Sequence, residues 1–290
     1  MIASEESRNG GSESNDVRTI EVSEFDEFLK VMTGFQQIIN ARRDYSHPFF
    51  LFRGTMVDDK EALLSTIEKK FRKPDSSINL GREMFQEFKD RMALGDGYSD
   101  WDILSLARHY GLPTRCLDWS SNSLVSLWFA THQESKSGES VVADPDTGSV
   151  WVLETKESDF GDISSQEEPF PIAQGKTMIF KPTQMEQRIK NQDSYMMRQV
   201  YVYKDRLCRT RQAKDMWIEP VDQNPTFKGR LTKIVLKNGY GEYDERLRSY
   251  GITRDLLFPM TGDNLKNAAE NACEEVKAKF ARYGKEEVRK

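Results

Sequence analysis

Leu104–Thr131 reads LSLARHYGLPTRCLDWSSNSLVSLWFAT and holds the densest run of chemically specific residues in the chain. Leu104, Leu106 and Ala107 have helical apolar spacing and lead into His109-Tyr110-Gly111. A turn containing Pro113 follows, then Thr114, Arg115, Asp118 and Trp119, and a second apolar segment runs from Leu124 to Ala130. The pattern predicts a rigid scaffold that presents a short irregular loop of polar groups between two buried segments.

Upstream, Thr19–Val22 reads as a short strand, and Ser23 caps an amphipathic helix, EFDEFLKVMTGF, whose acidic start suits the positive end of the helix dipole. His47-Pro48 breaks the chain before Phe49-Phe50-Leu51-Phe52-Arg53-Gly54-Thr55, a buried strand that delivers Arg53 at its end. Glu61–Phe71 and Gly81–Met92 read as helices separated by a Lys73-Pro74-Asp75 turn. A further helix is expected over Trp101–Tyr110, with Asp100 as its cap.

Downstream, Ser149–Leu153, Thr177–Lys181, Ser194–Val202 and Leu231–Leu236 have the composition or alternation of strands. Ser135–Gly148 is a polar loop, and Lys156–Gly175 is a long aperiodic excursion. Met185–Lys190 is a helical turn, Tyr243–Tyr250 a helix ended by Gly251, and the last helix begins near Leu265. No internal repeat is present. The expected class is α+β, with a mixed, mainly antiparallel sheet flanked by helices. A disordered tail over 1–17 would precede a single domain over 18–290.

Composition narrows the function. The chain is 37% hydrophobic and 31% charged, and no window approaches the ~18 apolar residues of a membrane span. Cys116, Cys208 and Cys273 lie far apart, a spacing of neither a disulfide framework nor a zinc site. With no secretory signal at the start, a cytoplasmic protein without a membrane partner is expected. The net charge of −5 argues against a DNA-coating role. Basic residues with Tyr201 and Tyr203 in Met197–Lys214 leave open a solvated strand and loop or a nucleic-acid surface. A Walker loop, a Gly-x-Gly-x-x-Gly after a strand, a Gly-x-Ser-x-Gly elbow, His-x-x-x-His and Cys-x-x-Cys are all missing, so a metal site is not expected.

Phe52-Arg53-Gly54, the block His109–Ser120, and Gly251-Ile252 followed by Leu257-Phe258-Pro259 together resemble the FRG domain family. Pro182, Arg188-Ile189 and Gln192 add a weaker match, and the likeness covers roughly residues 45–265. It departs at Met260-Thr261-Gly262, where the family more usually carries a run with an acidic residue. More distantly, a strand ending in aromatic-Arg-Gly resembles the first motif of ADP-ribosyltransferases of the Arg-Ser-Glu type. That resemblance implies an ADP-ribosyltransferase-like fold. It also implies NAD as substrate and an RNA or protein acceptor. A toxin or phage-defence setting is implied as well, with an antitoxin protein as partner.

On that reading Arg53 anchors NAD, with Gly54 giving the ligand close approach and Thr55 beside them. Tyr110 stacks on a ring, and Gly111, Thr114, Arg115, Asp118 and Ser120 line the nicotinamide-ribose pocket. His109 acts as hydrogen-bond donor or general base. The residue that touches the reacting ribose is Gln192 or Glu186, with the Gln166-Glu167-Glu168 run as another source of the acid. The structural alternatives are an Arg53 paired with a carboxylate such as Asp118, and a local Arg115–Asp118 pair that fixes the turn. Two other functions stay open: a non-catalytic nucleotide- or phosphate-sensing module, and a metal-independent nuclease acting through His109.

Overall fold

The computed structural model describes residues 17–40, 46–56, 62–71, 74–94, 97–134, 140–142, 148–163, 169–170, 176–183, 186–203, 216–237, 240–259 and 264–281. In chain order the first elements are β1 (Arg18–Val22), α1 (Phe25–Asn40), β2 (Phe50–Thr55), α2 (Thr66–Phe71), α3 (Pro74–Met92) and α4 (Asp100–His109). The middle of the chain gives β3 (Cys116–Ser120), α5 (Ser123–Thr131), β4 (His132–Glu134), β5 (Ser140–Val142), β6 (Ser149–Glu154), β7 (Met178–Phe180) and α6 (Gln187–Asn191). Then come β8 (Ser194–Arg198), β9 (Tyr201–Tyr203), β10 (Met216–Ile218), β11 (Leu231–Leu236), α7 (Tyr240–Ser249), α8 (Arg254–Leu257) and α9 (Asn264–Phe280).

One sheet has seven strands in the order β1-β11-β6-β2-β3-β8-β7. Only β1 and β11 run parallel within it; its other pairings are antiparallel. The pairs β4–β5 and β9–β10 form two small separate sheets. The class is α+β with a mixed, mainly antiparallel sheet, as the pattern of elements predicts. No helix among the described residues is long and apolar enough to cross a membrane.

Strand alternation sorts side chains onto two faces. Phe50, Phe52, Val150, Val152, Ile234 and Leu236 share one face and pack with residues of α1, α5 and α7. Farther along that face, Cys116, Met196, Met178 and Phe180 pack with α3, α4 and α9. Leu51, Leu117, Trp119, Trp151, Leu153, Ile179 and Met197 form the other face, closed by Leu63, Val221 and Phe227. Two helical groups therefore cover one face on either side of the β2–β3 junction, where Phe52 pairs with Ser120. The gap between them is the cavity described below.

Several local expectations need correction. Cys116–Ser120, expected in an irregular loop, is a strand at the middle of the sheet, because both β2 and β8 pair with it. The cap of α4 is Ser99 rather than Asp100: its hydroxyl accepts from Asp102 N, and Asp102 returns a bond to Ser99 N. Pro74 opens α3 instead of breaking the chain, a position where its missing N–H has no helical partner in any case. Ser194–Val202 splits after Arg198 into two strands of different sheets. Gly251 does end α7, at φ 78°, with Ile252 N donating to Leu247 O. The tail 1–16, Gln166–Glu168, Cys208, the 204–214 part of the basic run and Met260–Gly262 lie outside the described residues.

Gly54 is where α5 seats on β2. A Cβ there would lie 1.9 Å from Ser126 O and 2.7 Å from Ala130 N, both backbone atoms that cannot swing aside. It serves this close approach of helix to strand, and it also lines the cavity described below. Gly54→Ala is expected to lower the unfolding free energy by about 3 kcal/mol, read by urea denaturation. A change under about 0.5 kcal/mol, the range of surface substitutions, would contradict this seating.

Candidate functional site

The gap between the helical groups is a cavity of about 690 Å³, lined by the ends of α4, β2 and β3, one side of α5, and residues of α6, α8 and α9. Arg53, Gly54, His109, Tyr110, Gly111, Asp118, Ser120, Glu186 and Gln192 all line it. Thr55, Thr114 and Arg115 do not. Thr55 Oγ1 lies 3.0 Å from Ser149 Oγ. The Thr114 hydroxyl accepts from Cys116 N and helps form the turn into β3.

Arg115 is 6% exposed, donates to Pro169 O, and lies 5.3 and 5.4 Å from the rings of Phe170 and Tyr201. It does not pair with Asp118. Three residues of nearly extended chain separate the two by roughly 10 Å, too far for a local ion pair. Arg108 fills that place instead, from the last turn of α4. Its Nη2 and Nε reach Asp118 Oδ2 at 2.6 and 3.0 Å, while Nη1 donates to Thr66 Oγ1 at 3.2 Å. The sequence reading missed Arg108. The signal for it is conditional: once Cys116–Ser120 is a strand, Asp118 faces the helices with Cys116 and Ser120, and α4 supplies the cation.

Arg53 starts from the opposite face and reaches round to Asp118. Its Nη1 donates to the Asp118 carbonyl at 2.7 Å and its Nε to Ala62 O at 3.3 Å. Both of these acceptors are main-chain oxygens. Burial alone would raise the Asp118 carboxyl, but Arg108 foremost, and Arg53 besides, hold it below its ordinary value. The Asp118 side chain, 40% exposed, opens onto the cavity as a carboxylate.

Three other expected ligand residues line the cavity and also take part in the frame. Gly111, at φ 85°, ends α4: its N–H bonds Arg108 O, and Leu112 N bonds Ala107 O. The Ser120 hydroxyl donates to Gln192 O and accepts from Asn122 N. Gln192 Nε2 donates to Leu257 O, tying α6 to α8. The amide nitrogen of Gln192 therefore has a structural partner.

Three side chains are placed differently. His109 is 8% exposed, and its Nε2 is buried with no hydrogen-bond partner among the described residues. Burial, then Arg188, with Arg108 adding to it against the pull of Asp118, lowers its pKa to about 3. The ring is neutral at physiological pH, so it is a hydrogen-bonding group rather than the near-neutral general base expected from its type. Tyr110 is the C-cap of α4, and its hydroxyl donates to Glu186 Oε1. Burial, and then this bond, push the phenol well above its ordinary value. Glu186 is 8% exposed, and its Oε2 is buried without a partner among the described residues.

Arg53, Arg108, Arg188, Arg254 and Lys266 line the cavity with Asp118, Glu186 and Glu270, five cations against three carboxylates. A net-acidic chain thus lines this cavity with positive charge, which favours an anionic ligand. The Arg188 guanidinium lies 4.3 Å from the Phe258 ring centroid, and Phe129 brings a second ring to the lining. The two thiols among the described residues are poor nucleophiles: burial pushes Cys116 up to about 11 and Cys273 up to about 12. No group of three or more His, Cys, Asp or Glu side chains suited to a metal ion occurs among the described residues.

Residues 49–139 match the family model of the FRG domain. The match spans β2 to the end of α5 and beyond, and so holds one wall of the cavity. Glu186, Arg188, Gln192, Arg254, Lys266 and Glu270, which form the other, lie outside it. No curated protein and no solved structure matches the chain.

The buried neutral imidazole makes stability sensitive to acid. In the unfolded chain a histidine takes up its proton near pH 6.5, whereas His109 in the fold does so only near 3. Between those values the unfolded state binds more protons, so stability falls as pH falls through that window. From pH 7 to 5 the wild type is expected to lose about 2 kcal/mol more than His109→Gln in urea denaturation. Equal losses would show that the ring is not held neutral.

Proposed function

We propose that the cavity binds NAD and that the chain transfers the ADP-ribosyl group to a macromolecular acceptor. The observation that carries this reading is that one positively lined cavity joins Arg53 and His109 to a buried carboxylate, Glu186, which has one oxygen unpartnered. Its volume lies in the range of cofactor sites, and its cationic excess suits a pyrophosphate. The rings of Tyr110, Phe129 and Phe258 offer apolar surface to a base.

Bound NAD would supply an activated C–N glycosidic bond, whose cleavage releases neutral nicotinamide as the acceptor's oxygen or nitrogen bonds the anomeric carbon. Glu186 is the carboxylate placed to offset positive charge developing at the sugar and to take the proton the acceptor loses. Gln192 has no charge to offer, and its amide nitrogen is engaged with Leu257 O, so of the two candidates Glu186 takes the role. Neutral His109 offers a hydrogen bond. Arg53 and Arg188 provide positive charge for the phosphates. The resemblance to ADP-ribosyltransferases supplies the acceptor class, RNA or protein, and a toxin or phage-defence setting with an antitoxin partner.

NAD labelled in the nicotinamide and, separately, in the adenylate tests this. The wild type is expected to release nicotinamide and label a macromolecule. Glu186→Gln is expected to slow release by about 100-fold or more. Its calorimetric affinity for NAD should stay within about threefold, since the amide oxygen still accepts a ligand hydroxyl and only the charge that acts in the transition state is lost. Saturable NAD binding without release would identify a sensing module instead. RNA cleavage without NAD would identify a nuclease, a chemistry for which a histidine of pKa about 3 is a poor acid–base group.

A further inference from the structure

We propose that Tyr110 is a positioning residue of this cavity: it holds Glu186 by one oxygen and leaves the other as the acceptor for a ligand hydroxyl. The role differs from the ring stacking that its residue type suggests, and it rests on reading Glu186 as the site carboxylate.

The two residues meet because each stands at a helix end. Tyr110 is the C-cap of α4, and the bonds of Gly111 and Leu112 back to Arg108 and Ala107 set the direction in which the chain leaves the helix. Glu186 is the N-cap of α6, in extended backbone at φ −131°, ψ 146°. An N-cap side chain ordinarily bonds an N–H of the first turn, but Glu186 makes no such bond. Its carboxylate goes across the cavity wall to the tyrosine hydroxyl instead.

Burying a carboxylate is unfavourable unless its oxygens are bonded. Tyr110 satisfies Oε1, while Oε2 has no partner among the described residues. His109, the residue before Tyr110, likewise has a buried Nε2 without one. Two consecutive residues of α4's end therefore bring an unpartnered imidazole nitrogen and a half-satisfied carboxylate to one cavity. Arg188 of α6 and Glu270 of α9 are the other charges acting on this tyrosine. A ligand O–H donated to Oε2 completes the set. Phenylalanine would keep the ring and lose the hold.

Steady-state kinetics with NAD and ¹³Cζ-tyrosine NMR test the proposal. Tyr110→Phe is expected to lower kcat by about 10- to 100-fold while leaving KM for NAD within about twofold, because the hydroxyl acts on Glu186 rather than on substrate binding. The double variant with Glu186→Gln should be no slower than Glu186→Gln alone. A Tyr110→Phe enzyme with wild-type kcat, or one losing only KM, would overturn the role while leaving the functional reading intact. Without NAD, the Tyr110 ¹³Cζ signal should move on Glu186→Ala. If the wild type turns over no NAD, or Tyr110→Phe does not fold, that signal decides the matter. A resonance indifferent to Glu186→Ala would overturn the proposal.

Discussion

The ion pair between Arg108 and Asp118 is the constraint on which the site depends. It binds the last turn of α4 to the central strand β3 with two short bonds from one guanidinium. The pair is partly buried, so removing Asp118 leaves the more buried Arg108 charged without its counterion, whereas removing Arg108 leaves a carboxylate that still reaches the cavity. Asp118 works in two directions: its carboxylate takes Arg108, and its carbonyl takes Arg53 from β2. Helix, central strand and neighbouring strand are thus held through one residue. His109 and Tyr110 follow Arg108 directly in the chain, so their placement is inherited from that anchor.

Around this anchor the polar residues divide by whether their hydrogen bonds are complete. Ser120, Thr114 and the Gln192 amide nitrogen have partners that join strand to turn or helix to helix. Such groups hold geometry and have less to offer a ligand. His109 Nε2 and Glu186 Oε2 are the reverse, buried beside a cavity with bonds unmade. An unmade bond of this kind destabilises the folded chain, and a ligand that completes it binds more tightly for that reason. Charge adds a second effect: burial, helped by Arg188, keeps His109 neutral, and Arg108 foremost keeps Asp118 ionised, so the site's charge pattern is set before anything binds.

Much of this was legible in the sequence, and the losses have a common cause. The apolar run Phe49–Phe52 announced a buried strand, and Gly251 announced a helix end, since both signals are local. Strand β3 was not legible. Asp118, Ser120 and the preceding proline all disfavour a strand by composition, and only pairing with β2 and β8 makes it one. Each misplaced side chain follows from that. A loop would let Arg115 turn back to Asp118, whereas a strand holds them apart and gives the carboxylate to Arg108. Gly54 was legible as a necessary glycine, but its seating under α5 and the helix end at Gly111 were not. Close helix packing and a helix end need the same missing Cβ as a ligand would.

The cavity's two walls have different origins. The segment from β2 to α5 supplies Arg53, Arg108, His109, Tyr110 and Asp118, locked to one another through the central strands. In the second wall α9 packs in one core with α3 and α4, whereas the short α6 and α8 are tied down by single bonds, of which Tyr110 to Glu186 and Ser120 to the Gln192 carbonyl are two. Short helices draw little stability from their own hydrogen bonds and depend on such tertiary ties. Both walls bring cations, Arg53 and Arg108 on the first and Arg188, Arg254 and Lys266 on the second, and the short α6, the weaker element, begins at Glu186. A ligand that bridges the walls would tighten the weaker one onto the stronger, so binding and the alignment of the carboxylate become one event.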